Sequence, residues 1–570
     1  MGFHDSSAAI IGLQDKKLKD IEIYLSERFT KVKHQGLFPF AALKELTKNR
    51  PTLLSEIPQD HIGLNCIGSH AQKVEQETLR ILPLYSEKIQ HFGFQKLSPT
   101  HVPDIKFITH HLAHAYSAMA LCPYSQAIIV VSDGMGNYQH VFGEDHPEAH
   151  LKMTSNSAAV ESLSVYLMDQ GRITPLYKFF SQSQESDSQR VFLNNGLGNL
   201  FESVSRLIFK NWQQSGKVMG LAAYGTPIPI NDRAEFTRSL MNVEADPSKD
   251  KNAFDAQDPQ TFQVFANLAA SVQTYFEEFM IKFLKDLKMA NPRYENLILV
   301  GGCALNCLLN HKIIEQKIYE QVFVPPYAND EGVSLGVALK LAQESGDWIF
   351  SPTPIEEMHA SMGPPGSDTQ VQEHLVPDYF KAYQISKPEN LTHQVACILE
   401  SGSVIAWIQG RSEVGPRALG HRSLLVRADK SGVKAYLNNS IKFREQFRPY
   451  GSTILAEHVQ DYFEVEANYT SPFMNFAPQV RSDKKELLKE VTHPDGSSRI
   501  QTLSQKQNPC FYDLIKKFKE FTGLPLLLNT SLNIMGQPMV EDIQDAFDFF
   551  KQSEVKVLVY GNYLIQKELK

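Results

Sequence analysis

The residues most able to do chemistry begin with His110-His-Leu-Ala-His114, two imidazoles four positions apart and so on one face of a helix. Asp133 follows within Ser-Asp-Gly-Met-Gly, where an apolar run ends. A carboxylate beside a glycine turn at a strand's carboxyl end is a common way for α/β proteins to present a ligand. Asp330 lies in Tyr-Ala-Asn-Asp-Glu-Gly, ahead of a helix-period stretch. Two nitrogens and two carboxylates suit iron, manganese or zinc. Taken singly, each aspartate reads as a turn residue or a helix N-cap.

A second constellation is basic. It runs Gly410-Arg-Ser-Glu-Val-Gly-Pro-Arg-Ala-Leu-Gly-His-Arg-Ser423 and continues with Lys442-Phe-Arg-Glu-Gln-Phe-Arg448. Residues 411–448 hold nine Lys/Arg against three Asp/Glu, in a chain of net charge −8. Solvated faces normally mix signs, so the imbalance points to a bound polyanion. Arg411, Arg417 and Arg422 interleave with Gly415, Pro416 and Gly420, and guanidinium forks pair bidentately with phosphate. Aromatics are few here, which disfavours stacked single-stranded nucleic acid and favours a triphosphate or acyl phosphate.

Smaller signals accompany these two. Lys217 to Gly225 and Gly301-Gly-Cys-Ala-Leu-Asn306 put small residues where backbone can approach a phosphate or ribose, though neither fits a P-loop or dinucleotide fingerprint. A strand ending in Asn529-Thr530-Ser531 offers amide and hydroxyl groups to a nucleotide. His4-Asp5-Ser6-Ser7 suits a phosphate-facing turn or a proton-transfer site, and Glu27, Arg28, Lys31, Lys33 and His34 follow.

The elements that must position these groups read as α/β. Short apolar runs at 127–136, 296–302, 403–410 and 555–560 are buried strands, and 262–289 and 331–344 have helical period. The length implies two or three packed units, with a boundary in 348–387 and an insertion at 231–258. Six cysteines are too few for a disulfide scaffold, and Cys303 with Cys307 reads as a packed strand end rather than a zinc site. No apolar run is long enough to span a membrane, the first residues lack a signal peptide's pattern, and the overall acidity excludes a basic nucleic-acid binder. A reducing, cytoplasmic setting is the expectation.

The ordered set of motifs resembles the O-carbamoyltransferases of nodulation-protein and antibiotic-tailoring type, including aminoglycoside carbamoyltransferases. The matching segments are FHDSSAA at 3, ERFTKVKH at 27, HHLAHA at 110, SDGMG at 132, KVMGLAAYG at 217, GGCALNC at 301 and ANDEG at 328. They continue with WIQGRSEVGPRALGHRSLL at 407, REQFRP at 444, DGSSRIQT at 495 and LNTSLNIMGQPMV at 528. They cover nearly the whole chain, and GRSEVGPRALGHRS is the most specific.

The resemblance implies a TsaD-like part at 1–350, of the sugar kinase/heat-shock chaperone/actin superfamily, a linker at 351–387 and a YrdC-like α/β part at 388–570. It implies that carbamoyl adenylate forms from carbamoyl phosphate and ATP in the second part, and that the carbamoyl group passes to a hydroxyl of a small metabolite or sugar in the first. On this pattern Arg417, Lys442, Arg444 and Arg448 grip phosphate or carbamoyl. Arg411, Arg422, Arg499, Asn529, Ser531, Gly301, Gly302, Asn306 and Lys217 hold nucleotide. His110, His114, Asp133 and Asp330 bind a divalent metal, Fe2+ by preference, with Mg2+ accompanying ATP. His4 stands nearest the acceptor hydroxyl and Lys33 contacts the intermediate. A homodimer is the expected assembly, with no nucleic-acid or membrane partner. Two departures stand out: Met1 and Gly2 directly precede the first motif, where relatives carry a short strand, and Met135 replaces a residue polar in several relatives. Two competing readings are a tRNA threonylcarbamoyl-type enzyme, against which the acidity counts, and a non-catalytic metal- and nucleotide-binding assembly protein.

Overall fold

The computed structural model describes residues 7–25, 27–28, 63–65, 106–137, 139, 159–186, 189–193, 196–228, 254–364 and 383–567. His4 and Lys33 lie outside the described residues, as do most of 231–258 and the middle of 351–387.

The chain opens with an antiparallel hairpin of β1 (Ser7–Gln14) and β2 (Lys17–Leu25). Its two-residue turn puts both Asp15 and Lys16 at positive φ, the geometry that matches strand twist. A short parallel pair follows, β3 (Gly63–Asn65) with β4 (Lys106–Ile108).

Two larger sheets divide the rest. The first is built from β5 (Gln126–Ser132), β6 (Val160–Asp169), β7 (Arg172–Ser186), β8 (Gln189–Leu193), β9 (Asn296–Val300) and β10 (Gln321–Phe323), in the order β10-β9-β5-β6-β7-β8. β10, β9 and β5 are parallel and the remaining pairs antiparallel. Strand β5 shows why this sheet is a middle layer. Ile128 and Val130 point into one apolar cluster, while Ala127, Ile129 and Val131 point into another on the opposite face. Period-2 alternation with apolar residues at every position is what burial on both faces demands. One face is covered by α2 (Leu197–Phe209), α3 (Ser215–Ala222), α4 (Pro259–Ala290) and α5 (Cys307–Glu315). The other is covered by α1 (His110–Ala118) and α6 (Val333–Glu344). Helix α4 starts where the sequence chemistry says it should: Asp258 caps the N–H groups of Gln260 and Thr261, and Pro259 takes the first turn.

The second sheet comprises β11 (Tyr383–Ser386), β12 (Ile405–Ile408), β13 (Arg422–Arg427), β14 (Gly451–Leu455), β15 (Ile500–Leu503), β16 (Leu526–Ser531), β17 (Val557–Tyr560) and β18 (Tyr563–Lys567). Its order is β11-β18-β17-β12-β13-β16-β14-β15, mixed in direction. Helices α7 (Leu391–Glu400), α8 (Pro509–Thr522) and α9 (Ile543–Gln552) complete its core. All strands of the first sheet precede residue 324 and all strands of the second follow residue 382.

Buried polar contacts join the two units. Arg28, 2% exposed, lies just beyond β2 and donates to Glu541 at 3.0 Å and to the Glu413 carbonyl. Asn475 donates to the Val324 and Pro325 carbonyls, and Asn310 to the Asn475 carbonyl. Removing one member of such a buried pair leaves the other desolvated and uncompensated. Arg28→Ala is expected to cost about 3–5 kcal/mol, read as a lowered denaturation midpoint. An unchanged midpoint would show that Arg28 does not bind the units together.

Candidate active site: a His/Asp tetrad and an arginine cluster

The carboxyl ends of β5, β9 and β10 converge on one spot, with α1 beside it. Asp133 is the residue after β5, and Asp330 opens a 3-10 turn shortly after β10. Helix α1 carries His110 and His114 one turn apart. The four side chains are buried, and each offers one ligand atom, all within 4.8 Å of one another. His110 Nε2 lies 3.1 Å from Asp133 Oδ2, 3.1 Å from His114 Nε2 and 3.3 Å from Asp330 Oδ1. His114 Nε2 lies 3.2 Å from Asp330 Oδ1.

The electrostatics describe a site built for a cation. Burial works against the charge on His110, but Asp330 and Asp133 outweigh it and raise the imidazole to about 10. Burial and the facing Asp330 oppose ionisation of Asp133, yet the hydrogen bond from His110 and the charges of His114 and His110 lower it to about 2. Two buried carboxylates therefore hold a positive charge between them, a place a divalent ion takes by displacing protons. The donor set of two imidazoles and two carboxylates fits such an ion. His114 Nδ1 is buried with no partner among the described residues.

The glycines at this spot are structural necessities. Gly301 has φ +87°, and a Cβ there would stand 2.2 Å from the Ser132 carbonyl oxygen. This close passage lets Gly302 N–H donate to Asp133 Oδ1 at 2.8 Å. Asn306, expected to hold nucleotide, caps α5 instead: its side chain accepts from Leu309 N–H and exchanges hydrogen bonds with Gln273. Cys303 and Cys307 stay neutral thiols, since burial raises both, Cys303 to about 12.

Helix α1 is set by a buried polar chain. Thr109 supplies no side-chain cap, and Asn137 Oδ1 accepts from His110 N–H at 2.7 Å in its place. Asn137 N–H donates to Glu161 Oε2 at 3.0 Å, and Lys178 pairs with Glu161 Oε1. Burial resists the Glu161 charge, but Lys178 and His111 overcome it and lower the carboxylate to about 2.

The arginine cluster lies at the seam of the two units. Arg417, Arg444, Arg448 and Arg499 sit within each other's electrostatic reach. Burial, then Arg444, lowers Arg448 to about 10; burial, then Arg417, Arg444 and Arg448, lower Arg499 to about 9. Guanidinium groups keep their proton in proteins, so the depression registers first the cost of burial and then repulsion among the arginines, both of which a bound anion would offset. The buried Nε atoms of Arg417 and Arg499 have no partner among the described residues. Glu445, held by Lys217 at 2.6 Å, borders the group. A cleft lined by Tyr224, Cys307, Phe447, His493, Asp495 and Arg499 opens beside it.

Several expected anion ligands have other partners. Arg411 gives its N–H groups to Asp20 and to the carbonyls of Ile21, Met362 and Gly363, tying the second unit to β2. Arg422 is fully buried and donates to the carbonyls of Gln409, Gly410, His421 and Glu541. Lys442, 2% exposed, donates to the Ser531 carbonyl and hydroxyl and to Asn533, which occupies Ser531 as well. Lys217 neutralises Glu445 rather than facing open space. Asn529 donates to the Ala418 carbonyl and Thr453, leaving its buried Oδ1 as the acceptor still open among the described residues.

Sequence reasoning missed the acids that fold this seam. Glu413 Oε1 accepts the N–H groups of Leu419, His421 and Arg422 and so shapes the arginine-bearing loop. Glu331 Oε2 accepts Gly415 N–H at 2.6 Å. Each stands inside a motif already singled out, as the lone acid of GRSEVGPR or the neighbour of a metal ligand. A buried acid in a basic segment was the available signal.

A tetrad able to hold a cation lies beside a cluster of arginines where two α/β units meet, an arrangement suited to the transfer of a charged group. Comparison with known proteins makes this particular. The chain belongs to the carbamoyltransferase family, and it is a carbamoyltransferase. Residues 72–339 match the family's Carbamoyltransferase N-terminus and residues 396–567 its Carbamoyltransferase C-terminus. The chain is 30% identical over 593 residues to nodulation protein NolNO of Sinorhizobium fredii, covering 99% of this chain and 79% of that one. It is 32% identical over 471 residues to nodulation protein NolO of Bradyrhizobium diazoefficiens, covering 81% and 79%. It is 30% identical over 363 residues to the 3'-hydroxymethylcephem-O-carbamoyltransferase of Streptomyces clavuligerus, covering 61% and 64%. Among solved structures, full-length HypF in its phosphate- and nucleotide-bound form aligns over 60% of this chain and 57% of its own, with a TM-score of 0.34 and 13% identity. No helix among the described residues is long and apolar enough to cross a membrane.

Two outcomes follow. Dialysed against excess Co2+ and then buffer, the wild-type protein should retain one ion per chain by elemental analysis, and His114→Ala or Asp330→Ala should retain almost none. Equal retention by all three would place the ion elsewhere. The Glu161 carboxylate, at about 2 against an ordinary 4.5, gives stability that is full above the ordinary value and lost as pH falls toward 2. Glu161→Gln should therefore unfold well below wild type at about pH 5, with the gap narrowing at about pH 3. A gap independent of pH would refute the ion-pair account.

Proposed function

We propose that this protein is an ATP-dependent O-carbamoyltransferase working in two stages. Carbamoyl phosphate loses inorganic phosphate to water, leaving carbamate. A carbamate oxygen then attacks the α-phosphorus of ATP, forming carbamoyl adenylate and releasing pyrophosphate. In the second stage an acceptor hydroxyl attacks the carbamoyl carbon, AMP departs and the hydroxyl proton leaves with base.

The observation that carries this reading is the arginine cluster, in which Arg417, Arg444 and Arg448 all bear on Arg499, and the buried Nε atoms of Arg417 and Arg499 are still open among the described residues. Two phosphorylated reactants brought together supply the negative charge such a cluster lacks, and fixed cations stabilise the charge that builds up at the α-phosphate. Arg417, Arg444, Arg448 and Arg499 are assigned that role. Lys442 and Ser531 position the end of β16, and Asn529 Oδ1 remains an acceptor for nucleotide. The second unit is thus read as the activating, YrdC-like part and the first as the transferring, TsaD-like part.

His110, His114, Asp133 and Asp330 would hold a divalent ion, iron(II) on the family's pattern, which when bound offsets negative charge on the AMP phosphate and favours its departure. His4 is assigned to receive the acceptor's proton, and Lys33 to contact the adenylate. The acceptor is read as a hydroxyl on a small metabolite or sugar, in keeping with the hydroxymethyl group in the name of the Streptomyces relative.

Pyrophosphate release from ATP should depend on carbamoyl phosphate. Arg448→Ala should reduce it by about 100- to 1,000-fold, the usual loss for a group that stabilises transition-state charge. His110→Ala should leave pyrophosphate release near wild type at saturating ATP and carbamoyl phosphate and stop transfer to acceptor, read as a missing gain of one carbamoyl unit by mass spectrometry. Equal loss of both steps in His110→Ala would refute the division between the units. Pyrophosphate release that depends on threonine and bicarbonate would refute the carbamoyl phosphate reading.

A further inference from the structure

The tetrad and the arginine cluster are joined by two short paths of backbone and hydrogen bonds that meet at Arg417. The first runs from Asp330 to its neighbour Glu331, whose Oε2 accepts Gly415 N–H at 2.6 Å, two residues before Arg417. Gly415 has φ +110°, and a Cβ there would stand 2.1 Å from the Pro326 carbonyl oxygen, so this loop lies directly on the segment that carries Asp330. The second path runs from Asp133 Oδ1 to Gly302 N–H at 2.8 Å, through the 3-10 turn Gly302–Leu305, to the Leu305 carbonyl, which accepts from Arg417 Nη2 at 3.2 Å. Each carboxylate of the tetrad is thus joined by a short path to Arg417, one of the two arginines of the cluster whose Nε is still open among the described residues.

We propose that Glu331 is a positioning residue that couples the two centres, so that a cation on the tetrad and a tetrahedral anion on the arginine cluster strengthen each other's binding. A cation fixes Asp330 and Asp133. That fixes the Glu331 carboxylate and the Gly302–Leu305 turn, and Arg417 then has less freedom to lose when an anion arrives. Coupling of this kind is reciprocal: each ligand changes the affinity of the other by the same factor. Arg28 faces the same acid from the hairpin side, since Glu541 first and Glu331 next among its neighbours favour its charge against the cost of burial. The hydrogen bond to Gly415 N–H is what carries the link, and an amide oxygen at position 331 preserves it. The inference rests on the metal and phosphate assignments proposed above but needs neither adenylation nor transfer, so a chain that released no pyrophosphate could still show it.

The test is calorimetric titration of the full-length chain with sulfate, a weak ligand for cobalt, before and after loading with Co2+, and with Co2+ in the presence and absence of sulfate. Wild type should bind sulfate about tenfold more tightly when loaded, within the range of about 5- to 150-fold usual for coupled sites, and the reverse titration should give the same factor. Glu331→Ala should cut that factor to about threefold or less, the remainder being carried by the Gly302–Leu305 turn, while each ligand still binds alone. Glu331→Gln should retain most of it. A factor of one in wild type overturns the proposal, whatever becomes of the variants. So does a full factor in Glu331→Ala, or a factor in Glu331→Gln as small as in Glu331→Ala, which would make the effect one of charge. Sulfate that binds Arg417→Ala as tightly as wild type would be sitting outside the arginine cluster and would also overturn it.

Discussion

A guanidinium taken out of water must find acceptors or an anion, and the seam between the two units is organised around that demand. Three arginines of one short motif meet it in three ways. Arg422 is enclosed by carbonyl oxygens, and Arg411 is spent on Asp20 and on carbonyls of the other unit. Arg417 has a single carbonyl partner and an open Nε, beside Arg448 and Arg499, with which it shares repulsion. The first two hold the loop, and the third is the one with binding capacity left over. Residue type alone cannot tell these fates apart, because they are decided by how many backbone carbonyls happen to surround each side chain.

That is also where the sequence stopped being legible. The architecture was readable, since apolar runs of strand length at 127–136, 296–302, 403–410 and 555–560 correspond to β5, β9, β12 and β17, and the periodic stretches to α4 and α6. The four residues of the tetrad were readable because a helical spacing, a carboxylate at a strand end and another just ahead of a helix each constrain position strongly. The arginine cluster was readable as a local excess of charge, and Arg417, Arg444, Arg448 and Arg499 were all among the residues named, but nothing in residue type separated them from Arg411, Arg422 and Lys442. Lys442 and Ser531 satisfy each other, and Asn306 serves a helix end, both contacts set by tertiary neighbours far along the chain. Glu331 and Glu413 escaped notice for the complementary reason: an acid beside a ligand or within a basic run looks like a solvated charge until its N–H partners are seen.

The two centres are electrical opposites. The tetrad gathers two buried carboxylates and wants positive charge; the cluster gathers four arginines and wants negative charge. Across the whole chain the net charge is −8, which by itself would repel anionic reactants. A local excess of arginine reverses the sign where it matters and leaves the rest of the surface acidic. Burial sharpens both centres, because the same low dielectric that makes an unpaired charge costly makes a matched one strong.

Placing such opposites side by side has a structural consequence. A segment that touches both must be rigid, or each centre would collapse onto its own counter-groups. The short path from Asp133 to Arg417 is a single 3-10 turn, and the other path is a glycine loop pressed onto the backbone at Pro326. Apart from Arg417 itself, where both end, neither contains a flexible side chain longer than a glutamate. The glycines here thus serve proximity more than contact with a phosphate: they let two backbones approach closely enough for a carboxylate on one to fix an amide on the other. The rigidity that keeps the tetrad and the cluster apart is the same rigidity that lets one report on the other.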